Sequence, residues 1–226
     1  MVPAGEAVRK ASFDVILGPS LEQRPGDLAS LVTMILGDRL KAARVDVQPD
    51  GDVRYWGVDA TQSAVLQGLE NFGNACFVNT TGKPPAYSFV MVNRTDAHQC
   101  PKGSGGGWHR DSFRRQYKAF TYLTDVERES QGAFCFIPAS NAFPVRLASL
   151  CYRLVSGGHR YRDGTIDSCV SAGLTRRAVL LKSGVPFFVD SSLIHRGLPI
   201  SEGHRIMAAV YMFEDVPATF DSLRRP

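Results

Sequence analysis

The sequence predicts a mainly β protein, with antiparallel sheets closed into a sandwich or barrel and helices ahead of and beside them. Three observations carry this. From Tyr87 onward the chain breaks into short runs rich in β-branched and aromatic residues, bounded by Gly, Pro, Asn and Asp. No long helical pattern alternates with those runs, which argues against a parallel α/β sheet. Before Tyr87, apolar residues recur at helical spacing in two stretches.

The first of these stretches begins after Pro25-Gly26. Asp27 is placed to cap it, and Leu28, Leu31, Val32, Ile35 and Leu40 mark an apolar stripe, so the spacing predicts a helix from Asp27 to about Arg44. VRYWGV (53–58) reads as a short strand. A second helix is expected from about Ala60 to Phe72, with Val65, Leu66 and Leu69 on one face. These N-terminal elements read as packing material, without chemistry of their own. The later strands are YSFVMVNR, QYKAFTYLTDV, GAFCFIPAS, AVLLKSG, PFFVD and RIMAAVYMF, and a helix interrupts them around Val145 to Val155. The polar, basic segment 156–177 reads as a surface loop or lid. With no internal repeat or low-complexity tract, the 226 residues are expected to form one domain. Its parts are a chiefly helical support (1–86), a β core (87–213) and a C-terminal tail (214–226).

A formal charge of +4 and a pI near 8.9 are too mild to argue for a nucleic-acid partner. Five cysteines lack any CxxC or zinc-finger spacing and are odd in number, which favours reduced thiols in a cytoplasmic setting. The N-terminus has no sustained apolar h-region, and no apolar run approaches membrane-spanning length. The expected partner is a small molecule, with neither nucleic acid nor membrane involved. Oligomeric state has no signature here.

Chemistry concentrates in GSGGGWHRDS (103–112). In an extended segment residues i and i+2 point to one side, so His109 and Asp111 can converge while Arg110 faces away. An imidazole and a carboxylate aimed at one point are two ligands for a divalent metal, and a third imidazole would complete the triad of non-haem Fe(II) oxygenases. His195, after the apolar strand PFFVD, is the candidate third ligand. Arg205 opens the apolar strand RIMAAVYMF, where a buried guanidinium requires an anion, from the ligand or from Asp190, Glu202 or Glu214.

WHRDS, followed by YKAFTYLTDV, QGAFCFIPAS and IHRGLPISEGHR, resembles the phytanoyl-CoA dioxygenase-like family of Fe(II)/2-oxoglutarate-dependent oxygenases, over roughly Tyr87 to Phe213. The resemblance implies a double-stranded β-helix, the cupin-like jelly roll. It implies iron on His109, Asp111 and His195, 2-oxoglutarate anchored by Arg205, dioxygen as co-reactant, and release of succinate and carbon dioxide as a C–H bond is oxidised, most simply by hydroxylation. Retention of Asp111 speaks against the related halogenases, which carry a small residue there. Two departures lie near the site's mouth: Ala139-Ser140-Asn141 stands where the family usually has Gly-Ser-His, and Gly197 where Ser is common.

Further candidates follow from strand position and charge clustering, and one from the family. Strand alternation sets Lys118, Phe120 and Tyr122 on one face, and the family's aromatic at the position of Phe120 turns that face inward, making Phe120 and Tyr122 cosubstrate contacts. Asn93 is a polar candidate from the preceding strand, and Trp108 a wall of the substrate site. Arg110, Arg114 and Arg115 follow the glycines, while His159, Arg160, Arg162, Arg176 and Arg177 decorate the lid. Their convergence, with Arg114 and Arg162 as the leading contacts, would select an anionic substrate. Two rival readings remain, a binding module with a non-catalytic metal site and a zinc hydrolase, the latter lacking an evident Glu base beside either motif.

Overall fold

The computed structural model describes residues 15–48, 51–98, 102, 103, 106–113, 115–156, 160, 161, 164–171 and 173–216. Strand β1 (Val15–Leu17) precedes helix α1 (Asp27–Leu36), which buries Leu31 and Ile35. Its N-cap is Gly26, at φ 94°, and Asp27 occupies the first turn, its carboxylate accepting from the Arg24 amide at 3.1 Å. The helix is shorter than its apolar stripe predicts. Gly37 and left-handed Asp38 (φ 51°) end it, and the Asp38 carboxylate accepts from the Tyr55 hydroxyl at 2.7 Å. Ala42–Val47 then pairs as edge strand β2 with β3 (Val53–Val58).

Helix α2 (Ala64–Thr81) starts later and runs further than periodicity indicates. A short 3₁₀ turn takes Ala60–Gln62, Ser63 Oγ caps the helix through the Val65 amide, and Gly82 at φ 78° stops it. The added turns bury Cys76 and Phe77, which continue the stripe of Val65, Leu66 and Leu69. Phe77 meets Tyr117 edge-on at 5.5 Å, and a Cβ on Gly73 would lie 2.9 Å from that of Ala119, so the helix sits directly on the sheet.

The remaining elements are β4 (Tyr87–Asp96), β5 (Tyr117–Tyr122), β6 (Phe134–Phe136), α3 (Phe143–Ser156), α4 (Thr165–Ser171), β7 (Arg177–Val179), β8 (Pro186–Asp190), β9 (His195–Gly197) and β10 (His204–Phe213). Seven strands form one antiparallel sheet in the order β1-β8-β5-β10-β4-β3-β2, and three form a second, β7-β6-β9. This is the expected double-stranded β-helix. The segment before residue 87 adds strands as well as helices, because β1, β2 and β3 extend the large sheet on both sides. Val53, Tyr55 and Val58 continue the alternation of β4 outward, which is why the sheet captures them.

Alternation along β5 divides the core. Tyr117 and Ala119 face α2, whereas Phe120 and Tyr122 join Phe134, Phe136 and Phe187 between the sheets. Phe187 is fully buried, 5.2 Å from Phe120 and 5.7 Å from Phe134 between ring centroids. Each such side chain contributes about 1.5–3 kcal/mol of transfer free energy. Residues of both sheets line a cavity of about 440 Å³. The predicted lid segment contains α4, and α3 presents Phe143, Leu147 and Leu154 outward. Among the described residues no helix is long and apolar enough to cross a membrane, and Cys76, Cys135, Cys151 and Cys169 form no disulfide.

Candidate metal centre

His109 and His195 arrive from segments 86 residues apart and face each other as a single antiparallel bridge. The amide of each donates to the carbonyl of the other at 2.9 Å, and the rings lie 4.5 Å apart. Asp111, two residues after His109, donates its amide to the Ser191 carbonyl at 3.3 Å and turns its carboxylate between the imidazoles. Asp111 Oδ1 is 3.7 Å from His109 Nε2 and Oδ2 is 3.4 Å from His195 Nε2. One ligand atom from each of the three lies within 4.8 Å of the others.

Backbone carbonyls select the tautomers. His109 Nδ1 lies 2.8 Å from the Gly107 carbonyl and His195 Nδ1 2.9 Å from that of Leu193. A carbonyl only accepts, so each Nδ1 carries the proton and each Nε2 keeps a lone pair aimed at the carboxylate. Burial lowers both imidazoles, His109 to about 3, with the neighbouring His195 adding to the effect. For Asp111, burial pushes upward, but Lys118 and then the two histidines outweigh it and hold the carboxyl below the usual range. Two neutral nitrogens and one carboxylate oxygen fit a first-row divalent metal.

The loop before His195 is held by a device that the sequence reading missed. Arg110, expected to face away from the two ligands, is 5% exposed. Its guanidinium donates to the Ser192 and Ser140 carbonyls, to Ser149 Oγ of α3 and to the Tyr161 hydroxyl. Ser140 Oγ in turn accepts from the Ile194 amide at 2.8 Å, and Ala139 before it is left-handed at φ 54°. That conformation is the reason a glycine suits the position, and Ala139 takes it with its Cβ in place.

The glycine run is explained by close approach. Gly103 sits at φ 78°, and a Cβ there would lie 1.8 Å from the Gly197 carbonyl oxygen, two residues past His195. Glycine at 103 lets the loop lie against the strand that carries the ligand. Ser104 and Gly105 lie outside the described residues.

Arg205 is 1% exposed and lines the cavity together with the three metal-site residues, donating to the Gly132 carbonyl. The carboxylates offered as surface partners are engaged elsewhere. Asp190 accepts from Asn141 and the Ser192 amide, Glu202 pairs with Arg128, and Glu214 with Lys83.

The other candidates divide. Phe120 and Asn93 line the cavity; the Asn93 amide donates to Asp52 Oδ1 at 3.0 Å, beside Arg54 on Asp52 Oδ2. Tyr122 does not line it. Its hydroxyl donates to the Val179 carbonyl and accepts the Phe134 amide, tying the two sheets together. Trp108 is likewise no wall of the cavity. It packs with Cys135, Ile137, Ile166 and Ile194, and its indole donates to Asp167 of α4 at 2.9 Å. Arg114 and Arg162, with His159, lie outside the described residues. Arg160 lines the cavity, whereas Arg176 pairs with Glu129.

The sequence reading also missed Lys118, Arg54 and Trp56 on the cavity wall. Alternation had placed Lys118 beside Phe120, and a lysine within six consecutive buried residues was the available signal. For Arg54 and Trp56 the signal was absent, because nothing local joins β3 to the metal ligands.

A scan of protein-family models finds no match, and no curated protein matches the chain. Solved structures do. HygX from Streptomyces hygroscopicus, with nickel and 2-oxoglutarate bound, is 16% identical, with a TM-score of 0.56 over 89% of this chain and 84% of its own. The non-haem alpha-ketoglutarate-dependent carbocyclase SnoK from nogalamycin biosynthesis is 13% identical, with a TM-score of 0.57 over 95% of this chain and 88% of its own. The epimerase SnoN from the same biosynthesis is 15% identical, with a TM-score of 0.55 over 89% and 79%. At such identities the likeness establishes the fold.

Proposed function

We propose that this chain is an Fe(II)- and 2-oxoglutarate-dependent oxygenase acting on a small molecule, with hydroxylation of a C–H bond as its reaction. The convergence of His109, Asp111 and His195, lone pairs inward, on a cavity that also holds Arg205 carries the reading. Neighbours in fold support it, since structures of HygX contain nickel or iron and one of SnoN contains Fe3+ and alpha-ketoglutarate. SnoN and SnoK are an epimerase and a carbocyclase, so the fold itself is compatible with several oxidative outcomes.

Iron held by the three ligands would supply the reaction of 2-oxoglutarate with dioxygen and the oxidation of the second substrate. The chain does the rest. Arg205 fixes the distal carboxylate of the cosubstrate by a charge-assisted fork, worth about 1.5–3 kcal/mol per hydrogen bond. Phe120 and Phe134 give the cavity an apolar floor that excludes water. Arg160 lines the cavity as a further cation beside Arg205, an arrangement that favours an anionic substrate.

The structure bears on both rivals. A binding module would not need Arg205 in the same cavity as the ligands, and a zinc hydrolase would need a general base that is not a ligand, whereas Asp111 is the cavity's sole carboxylate among the described residues. Anaerobic titration of Fe(II)-loaded protein with 2-oxoglutarate tests the proposal. A weak visible charge-transfer band should appear, vanish in His195→Ala, and require about tenfold or more cosubstrate in Arg205→Ala. No band at any concentration in the wild type would overturn the oxygenase reading.

A further inference from the structure

Lys118 is a cation in contact with the metal-site carboxylate, and beyond the effect of its charge on Asp111 none of the roles assigned above uses it. It stands on β5, facing inward beside Phe120, with its side chain 5% exposed. Its ammonium lies 2.7 Å from Asp111 Oδ2. The ring of Tyr211 on β10 lies beneath it, 3.9 Å from Nζ to centroid, and is itself stacked on Phe89 at 4.7 Å. The ammonium is therefore held from two sides, by a carboxylate oxygen and by an aromatic face within a packed stack.

A carboxylate with one oxygen claimed in this way has the other to give. We propose that Lys118 is a positioning residue that holds Asp111 by Oδ2, so that the carboxylate meets the metal through Oδ1 alone. The inference rests on the reading of His109, Asp111 and His195 as a metal centre. A chelating Asp111 would occupy one more coordination position, and a keto acid plus dioxygen need three. By withholding one oxygen, Lys118 keeps a position open. Its charge has a second consequence, since a cation beside the metal opposes metal binding while favouring an anionic chelator in the same cavity.

These two effects have opposite signs, which separates the role from one of packing. In Lys118→Met the metal should bind more tightly and 2-oxoglutarate more weakly, each by about tenfold. Lys118→Arg, which keeps the charge, should restore most of both. The experiment loads the full chain with Co(II), follows the visible absorption for affinity and coordination number, and then titrates 2-oxoglutarate. The expected result is tighter cobalt and weaker 2-oxoglutarate in Lys118→Met, with a change in the cobalt spectrum absent from wild type and Lys118→Arg. Unchanged cobalt affinity and spectrum in Lys118→Met would overturn the proposal, as would weaker cobalt binding in a variant whose circular dichroism matches the wild type. Cobalt binding without any response to 2-oxoglutarate in the wild type would overturn the oxygenase reading while still deciding the role of Lys118. Absence of cobalt binding to the wild type would overturn both.

Discussion

At the residue scale, the site is two imidazoles kept neutral and one carboxylate kept charged, and the same burial that prepares them for a metal makes the metal-free protein sensitive to acid. Both histidines have folded pKa values below the unfolded value of about 6.5, His109 at about 3. Between those values the unfolded chain binds more protons, so stability rises with pH across the window and falls on acidification, by about 1.4 kcal/mol per pH unit for each fully shifted histidine. Asp111 acts in the same direction at lower pH, since its lowered pKa contributes stability that is lost only in stronger acid. The melting temperature of metal-free protein should therefore fall between pH 7 and pH 5, and His109→Gln should flatten the slope. A melting temperature independent of pH over that range would contradict neutral, buried imidazoles.

At the scale of elements, the site depends on a loop and a strand being pressed together. Gly103 allows it, and Arg110 with Ser140 holds the approach to β9 in place. A side chain at 103 meets both a left-handed φ and the Gly197 carbonyl, so Gly103→Ala should cost about 2–4 kcal/mol. Because the displaced strand carries His195, metal affinity should fall with stability; thermal melts and Ni(II) titration of the variant check both. Intact affinity in a destabilised variant would show that loop and ligand strand are not coupled. The helix boundaries carry a related lesson. The stripe that extended α1 to Arg44 counted Leu40, which is indeed buried, but Gly37 and Asp38 had already turned the chain.

For the whole molecule, the direct pairing of β1 with β8 and of β3 with β4 argues that residues 15–216 unfold as a unit. Phe187 touches both sheets, through Phe120 and Tyr122 on one and Phe134 on the other. Phe187→Ala should cost about 3–5 kcal/mol and move the whole urea transition to lower denaturant, with tryptophan fluorescence and circular dichroism still coincident. Two separated transitions would assign the N-terminal strands to an independent unit.

What the sequence determined alone was periodic or local. Alternation placed β4, β5, β8 and β10, and the two-residue spacing of His109 and Asp111 put both on one side of an extended segment. The apolar strands around them made His195 and Arg205 candidates, and the resemblance supplied their roles. Tertiary structure decided what depends on pairing between distant segments. The bridge that sets His195 against His109, the β3 strand that carries Arg54 and Trp56 to the cavity, and the turning of Arg110 inward onto Ser140 and Ser192 are of this kind. So are the diversion of Trp108 to Asp167 and of Tyr122 to Val179. A side chain's period tells which face of a strand it occupies, but which acceptor it reaches there is settled only when another segment supplies one.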